Sequence, residues 1–214
     1  MRRVIVSDYD GTITESSPAL LPALRRFLAA GHLFVLCSGR YAEWAEECPL
    51  RDLCALLVLE NGGCLIDGEG VRELGPAPTP ELVEALLHAG YAHDRGRVIV
   101  GMRSADEPQV AAILRRYSDD YALIKNKDSL MLLAKGVDKE SGARAALAEL
   151  DVSPDQAIAV GDAENDLALF RACGKTAAVA NAVPELKAAA DLVLDGEHAT
   201  GVVELIELVL DGKF

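Results

Sequence analysis

The chain alternates short aliphatic runs with stretches whose apolar residues recur every three to four positions. The runs suit buried strands and the recurring pattern suits helices with one apolar face. Val4–Val6 predicts a strand ending in the loop Ser7-Asp8-Tyr9-Asp10-Gly11-Thr12. Over 18–30, Leu20, Leu21, Leu24, Phe27 and Leu28 fall near one face of a helix that Gly31 stops. Leu33–Leu36 predicts the next strand, 41–47 a helix, and Ala55–Leu59 a third strand before the turn signal Glu60-Asn61-Gly62-Gly63. Strands separated by helices predict right-handed βαβ units and a mostly parallel sheet.

From about Leu65 the texture changes. Pro76, Pro78 and Pro80 stand close together, followed by helical patterns over 80–90 and 108–117 with a strand over 97–102 between them. Runs over 121–125 and 129–133 predict a hairpin turning at Asn126-Lys127-Asp128. After Lys135 the first texture returns, with helices over 139–150, 184–190 and 202–210 and strands over 157–160, 176–179 and 192–194. Gly161-Asp162-Ala163-Glu164-Asn165-Asp166 opens one more helix, running to Ala172. The expected fold class is therefore α/β, with a core over 1–64 and 136–214 and a small α+β insert over 65–135.

Composition sharpens this picture in three ways. The 214 residues are 50% hydrophobic, too apolar for a disordered chain and enough for a core with an insert. Lys and Arg number 21 against 34 Asp and Glu, a net charge of −13 that argues against nucleic acid or an anionic membrane as partner. A small anionic metabolite remains compatible, since local positive groups outweigh a distant negative surface. Cys37, Cys48, Cys54, Cys64 and Cys173 form no CxxC pair, so neither a disulfide framework nor a zinc site is expected. The N-terminal apolar run is too short for a signal peptide, and no apolar stretch approaches a membrane span, so a cytoplasmic protein is expected. Nothing in the pattern reads as an interface, and the oligomeric state stays open.

Four short stretches carry chemistry. Asp8 and Asp10 follow a strand whose carboxyl end opens on the ligand crevice of such sheets. Two adjacent acids repel unless a cation lies between them, and Mg2+ suits a site of carboxylates, water and phosphate. Alone, this stretch reads also as a solvated turn. Ser38-Gly39-Arg40 ends the second strand, where a hydroxyl and a glycine N–H make an anion cradle or, equally, an ordinary N-cap beside a surface arginine. Lys139 stands at a helix start as a point charge for phosphate or a solvated lysine. Asp162, Glu164 and Asp166 mass three acids in five residues around Asn165. That grouping is costly without a cation, and a capping role for the acids is the weaker alternative.

In this order, DYDGT, SGR, the Lys139 region and GDAEND resemble the four motifs of the haloacid dehalogenase superfamily of phosphohydrolases. ENGG and VANAVPELKAAADLVL are similar to its Cof-type branch, in which a C2-type cap lies between the second and third motifs. The length is similar to that of archaeal-type phosphoglycolate phosphatases. The resemblance covers about two thirds of the chain and implies a Rossmann-like core with a small cap.

It also implies roles for residues. Asp8 is the nucleophile that forms an aspartyl-phosphate, and Asp10 the acid and then base. Mg2+ is held by Asp8, the Asp10 carbonyl and Asp162, with Asp166 in support. Ser38, Gly39, Arg40 and Lys139 bind phosphate, Thr12 orients Asp10, and Asn165 and Asn181 line the pocket edge. The implied reaction is hydrolysis of a small phosphate monoester, phosphoglycolate or a similar phosphorylated acid first. A sugar-phosphate or mannosyl-3-phosphoglycerate-type phosphatase is the alternative, and a phosphomutase or a phosphate-binding regulator the other classes. Arg103, Lys125 and Lys127 are candidates for a substrate carboxylate. Two departures stand out: Tyr9 where an aliphatic residue or Phe is commoner, and Glu140 where glycine usually follows the lysine.

Overall fold

The structure, a computed structural model, describes residues 2–14, 17–117 and 120–214. The first third supplies β1 (Val4–Ser7), α1 (Leu20–Ala29), β2 (Leu33–Cys37), β3 (Leu56–Leu59), β4 (Cys64–Ile66) and β5 (Val71–Glu73). The middle supplies α2 (Pro80–His88), β6 (Asp94–Arg95), β7 (Val100–Arg103), α3 (Glu107–Leu114), β8 (Tyr121–Asn126) and β9 (Ser129–Ala134). The last third supplies α4 (Lys139–Glu149), β10 (Ala157–Gly161), α5 (Asp166–Ala172), β11 (Lys175–Ala178), α6 (Pro184–Ala189), β12 (Leu192–Val193) and α7 (His198–Leu210).

The fold is a Rossmann-like α/β layer carrying a second, smaller sheet. Strands β12-β11-β10-β1-β2-β3 run parallel, and β4 and β5 extend this sheet antiparallel to a total of eight strands. The central strands are sealed on both faces, as their unbroken aliphatic runs require: Val4, Ile5, Val6, Val35, Leu36, Ile158 and Val160 are fully buried. Chain order runs one way from β1 to β3 and the other way from β10 to β12. The β1/β10 seam is therefore a topological switch point, where side chains at the carboxyl ends of strands face an open crevice.

The second sheet, β6-β7-β9-β8, is antiparallel throughout. Its two faces divide by strand alternation. Val100, Leu130 and Leu132 pack with Leu82, Val83 and Leu86 of α2 and Val110 of α3. Ile99, Met131 and Leu133 pack on the other side with Val137, Ile124 and Tyr41.

Three local expectations are corrected. The segment 41–47 forms a 3-10 turn, Ala42–Glu46, and no α-helix. Pro49 disfavours helical geometry just before it, and Glu46 and Glu47 would load the negative end of a helix dipole. The short strands β4, β5 and β6 were not anticipated; β4 and β5 place 64–73 on the large sheet through ladder bonds that hydrophobic patterning does not encode. The last helix begins at His198, four residues before the periodic stretch.

Candidate active site

The register of the central strands assembles the site. Ser7 pairs with Leu36 on one side and Val160 on the other, so Asp8, Ser38 and Asp162 leave adjacent strand ends at about one level. The Asp8 amide donates to the Val160 carbonyl at 2.9 Å and the Ser38 amide to the Val58 carbonyl at 2.8 Å, carrying the ladder one residue into each loop.

Lys139, the first residue of α4, is wholly buried at the centre. Its Nζ donates to Asp8 Oδ1 and to Asp166 Oδ1, each at 2.6 Å. A capping box fixes the start of this helix: the Ser141 amide donates to Asp138 Oδ1 at 3.0 Å and the Asp138 amide to Ser141 Oγ at 3.1 Å. Burial works against the ammonium, yet Asp166 and Asp8 outweigh it and raise the Lys139 pKa, so the charge stays. Burial in turn pushes the Asp8 carboxyl up, against the pull of Lys139. Burial likewise pushes the Cys37 thiol up, which disfavours its thiolate.

Asp166 also braces the fourth loop, where Oδ2 accepts from the amides of Asp162 at 2.9 Å and Ala163 at 3.0 Å. Asp162 is fully buried and accepts the Thr12 hydroxyl on Oδ1 at 3.1 Å and the Lys127 ammonium on Oδ2. Thr12, expected to orient Asp10, thus orients Asp162 instead, because the turn at Gly11 (φ +85°) directs it across the seam. A Cβ on Gly11 would lie 2.3 Å from Asp162 Oδ2, so only glycine lets this loop approach that carboxylate.

Oxygens of Asp8, Asp162 and Asp166 lie within 4.8 Å of one another. Three hard oxygen donors around one point, with the Lys127 ammonium on one of them, fit a hard divalent cation. Asp166 is engaged by Lys139 and two amides, and Asp162 by the Thr12 hydroxyl and the Lys127 ammonium.

Asp10 is half-exposed and gripped by Arg40, with Nε to Oδ2 at 2.9 Å and a terminal nitrogen to Oδ1 at 2.7 Å. The guanidinium lies 5.0 Å from the Tyr9 ring centre and 4.7 Å from that of Trp44, and the two rings are 4.6 Å apart. The unusual Tyr9 is therefore half of an aromatic platform beneath Arg40. No periodicity pairs Tyr9 with Trp44, and only the site of the departure hinted at it. Ser38 Oγ accepts the Arg40 amide at 3.2 Å, and Gly39 lines the same opening. The other departure, Glu140, points away from the site and accepts from Arg144 at 2.9 Å and Arg171 at 2.6 Å.

Asn165 donates to Asn61 Oδ1 at 3.0 Å, both side chains being buried. Asn181 donates to the Gly11 carbonyl at 2.8 Å and accepts the His198 amide at 2.8 Å, so it braces the first loop from behind. Missed in the sequence was Glu60, fully buried in a turn that reads only as polar punctuation. Its carboxylate accepts the amides of Ala42 at 3.1 Å, Arg97 at 2.9 Å and Val98 at 2.8 Å. A cavity of about 510 Å³ opens between the two sheets, with Asp8, Asp10 and Arg40 on its floor and His93, Arg103 and Met131 opposite.

A model of haloacid dehalogenase-like hydrolases matches residues 97–206. The phosphoglycolate phosphatase of Methanothermobacter thermautotrophicus is 31% identical over 95% of this chain and 97% of its own. Phosphoglycolate phosphatase 2 of Saccharolobus solfataricus is 29% identical over 99% of this chain and 94% of its own. Among solved structures, Thermoplasma acidophilum 0175 superposes with a TM-score of 0.84 at 20% identity, covering 97% of each chain. The sucrose-phosphatase of Synechocystis, solved with sucrose and phosphate, superposes with a TM-score of 0.77 at 19% identity over 97% of this chain and 98% of its own.

Proposed function

This phosphatase belongs to the haloacid dehalogenase-like hydrolase family, and we propose that it hydrolyses a small phosphate monoester through an aspartyl-phosphate on Asp8. The observation that carries the reading is the buried Lys139 ammonium bridging Asp8 and Asp166 at the switch point, with Asp162 alongside. Lys139 fixes one oxygen of Asp8 and supplies positive charge where a phosphoryl group would meet the carboxylate. An Asp8 oxygen attacks phosphorus, the bond to the ester oxygen breaks, and the Asp10 proton goes to the departing alkoxide. Asp10 then takes a proton from water as that water attacks phosphorus, the bond to Asp8 breaks, and inorganic phosphate leaves. Arg40 on its aromatic platform occupies both oxygens of Asp10, a grip that suits the ionised base and that Asp10 must leave to carry the proton of the first step. Ser38 and the Gly39 amide, at the end of β2, complete the phosphate cradle.

Mg2+ is the ion we propose, held by Asp8, the Asp10 carbonyl and Asp162 with Asp166 beside them, and when bound it neutralises phosphoryl charge. The second sheet with α2 and α3 serves as the cap, running from Pro80 to Ala134 above the cavity.

The names of the relatives support phosphoglycolate, or a similar small phosphorylated acid, as substrate. A second reading, a sugar phosphate, is favoured by the cavity itself. Its 510 Å³ falls in the range of pockets for larger ligands, and Asp94 and Asp128 on its wall would accept hydroxyl groups and repel a carboxylate. Phosphate release from a panel of esters, phosphoglycolate and hexose phosphates included, with Mg2+ or EDTA, separates these readings. Asp8→Asn serves as the blank, its activity expected to fall at least about a thousandfold while its circular dichroism stays that of the parent. Release by that variant comparable to the parent's would remove Asp8 from the mechanism.

A further inference from the structure

The hairpin β8–β9 reaches across the cavity, and among the described residues Lys127 donates two hydrogen bonds from it to the fourth loop. Its amide donates to Glu164 Oε2 at 3.1 Å, and its ammonium rests on Asp162 Oδ2. Lys127 occupies the tip of the turn with φ +52°, a conformation that lifts it out of the strand ladder toward the loop. Asp162 is fully buried and its two oxygens are both spoken for, Oδ1 by Thr12 and Oδ2 by Lys127. Lys127 keeps about half of its side chain in water, 47% against 0% for Asp162, so it can leave while Asp162 cannot.

Of the two Asp162 oxygens, Oδ1 accepts the Thr12 hydroxyl and Oδ2 the Lys127 ammonium, so a divalent ion that takes Oδ2 meets the ammonium there. The ion and the ammonium cannot share that oxygen, since like charges at contact distance repel strongly where water is scarce. We infer that Lys127 is a cap-borne cation that competes with the divalent metal for Asp162, tethering the hairpin to the core until the metal displaces it. Metal loading and the release of the hairpin tip are then one event. The inference rests on the metal reading given under Proposed function.

The test uses Mn2+ as a paramagnetic probe, titrated by electron spin resonance into the parent protein, Lys127→Met and Lys125→Met. The second variant removes the same charge two residues away on the exposed side of the hairpin. Lys127→Met is expected to bind Mn2+ about tenfold more tightly than the parent and Lys125→Met within about twofold, as contact repulsion is lost only in the first. In the parent, Mg2+ is expected to speed hydrogen exchange of the Lys127 amide, which the Glu164 bond protects without it. Equal shifts in the two variants, weaker binding by Lys127→Met, or exchange indifferent to Mg2+ would each overturn the inference while leaving the metal site standing. Failure of all three proteins to bind Mn2+ would remove the metal reading and this inference with it.

Discussion

Glu60 offers the sharpest energetic test of how the site is held. Its carboxylate is fully buried and closes three amides, those of Ala42, Arg97 and Val98, while Gly96 leaves it room: a Cβ there would lie 2.5 Å from Glu60 Oε1. Glu60→Ala removes both acceptor oxygens, and with them all three hydrogen bonds, and opens a void. Each amide left without a partner in a buried place costs about 1–3 kcal/mol. Two of the three bonds are fully buried and the third partly so. The expected loss is therefore about 4–6 kcal/mol, most of the margin of an ordinary domain. Glu60→Gln keeps shape and one oxygen. That oxygen can retain the Ala42 and Arg97 amides, while the new NH2 group meets the Val98 amide donor to donor. Its cost is expected at about 2–3 kcal/mol, one unmade bond to a former charge. Urea unfolding followed by far-ultraviolet circular dichroism measures both. A loss under about 1 kcal/mol for Glu60→Ala, or a larger loss for Glu60→Gln than for Glu60→Ala, would refute the reasoning.

Lys139→Met leaves Asp8 and Asp166 buried without their shared cation and is expected to destabilise the fold by about 3–5 kcal/mol, measured by the same unfolding curves. Adding Asp166→Asn to it should recover part of that loss, and no recovery would mean that the lysine does not neutralise that carboxylate. Gly11→Ala places a methyl 2.3 Å from Asp162 Oδ2 at a φ of +85°, so calorimetric Mg2+ affinity should drop at least about tenfold. Thr12→Val removes the hydroxyl bond to Asp162 Oδ1, and Mg2+ affinity should weaken about threefold to tenfold with little change in melting temperature.

Sequence alone made the central layer readable because β1, β2 and β10 are buried on both faces and so carry unbroken aliphatic runs. The acids that follow β1 and β10 were legible for the same reason: a strand end locates them before any contact is known. That Asp166 is committed to two loop amides, by contrast, lies in distances alone. Long-range partners left no trace. Thr12 meets Asp162 across 150 positions and Glu60 meets Val98 across 38, and neither spacing has a period. Lys127 read as one of three basic candidates for a substrate carboxylate, because a hairpin tip looks alike in sequence whether it faces water, a ligand or a carboxylate of the core.

The alternation along β9 has a consequence for how this molecule can change. Leu132 is locked under α2 and α3, while its neighbour Met131 looks into the cavity, its sulfur near Gly39. Val100, the first residue of β7, and Ile99 just before it repeat the division. Adjacent positions thus have different surroundings: Leu132 and Val100 pack the second sheet on its helices, while Met131 and Ile99 line the cavity. A substitution at Met131 or Ile99 would therefore reshape the cavity and its contacts with Val137, Ile124 and Tyr41, and leave the layer beneath α2 and α3 in place.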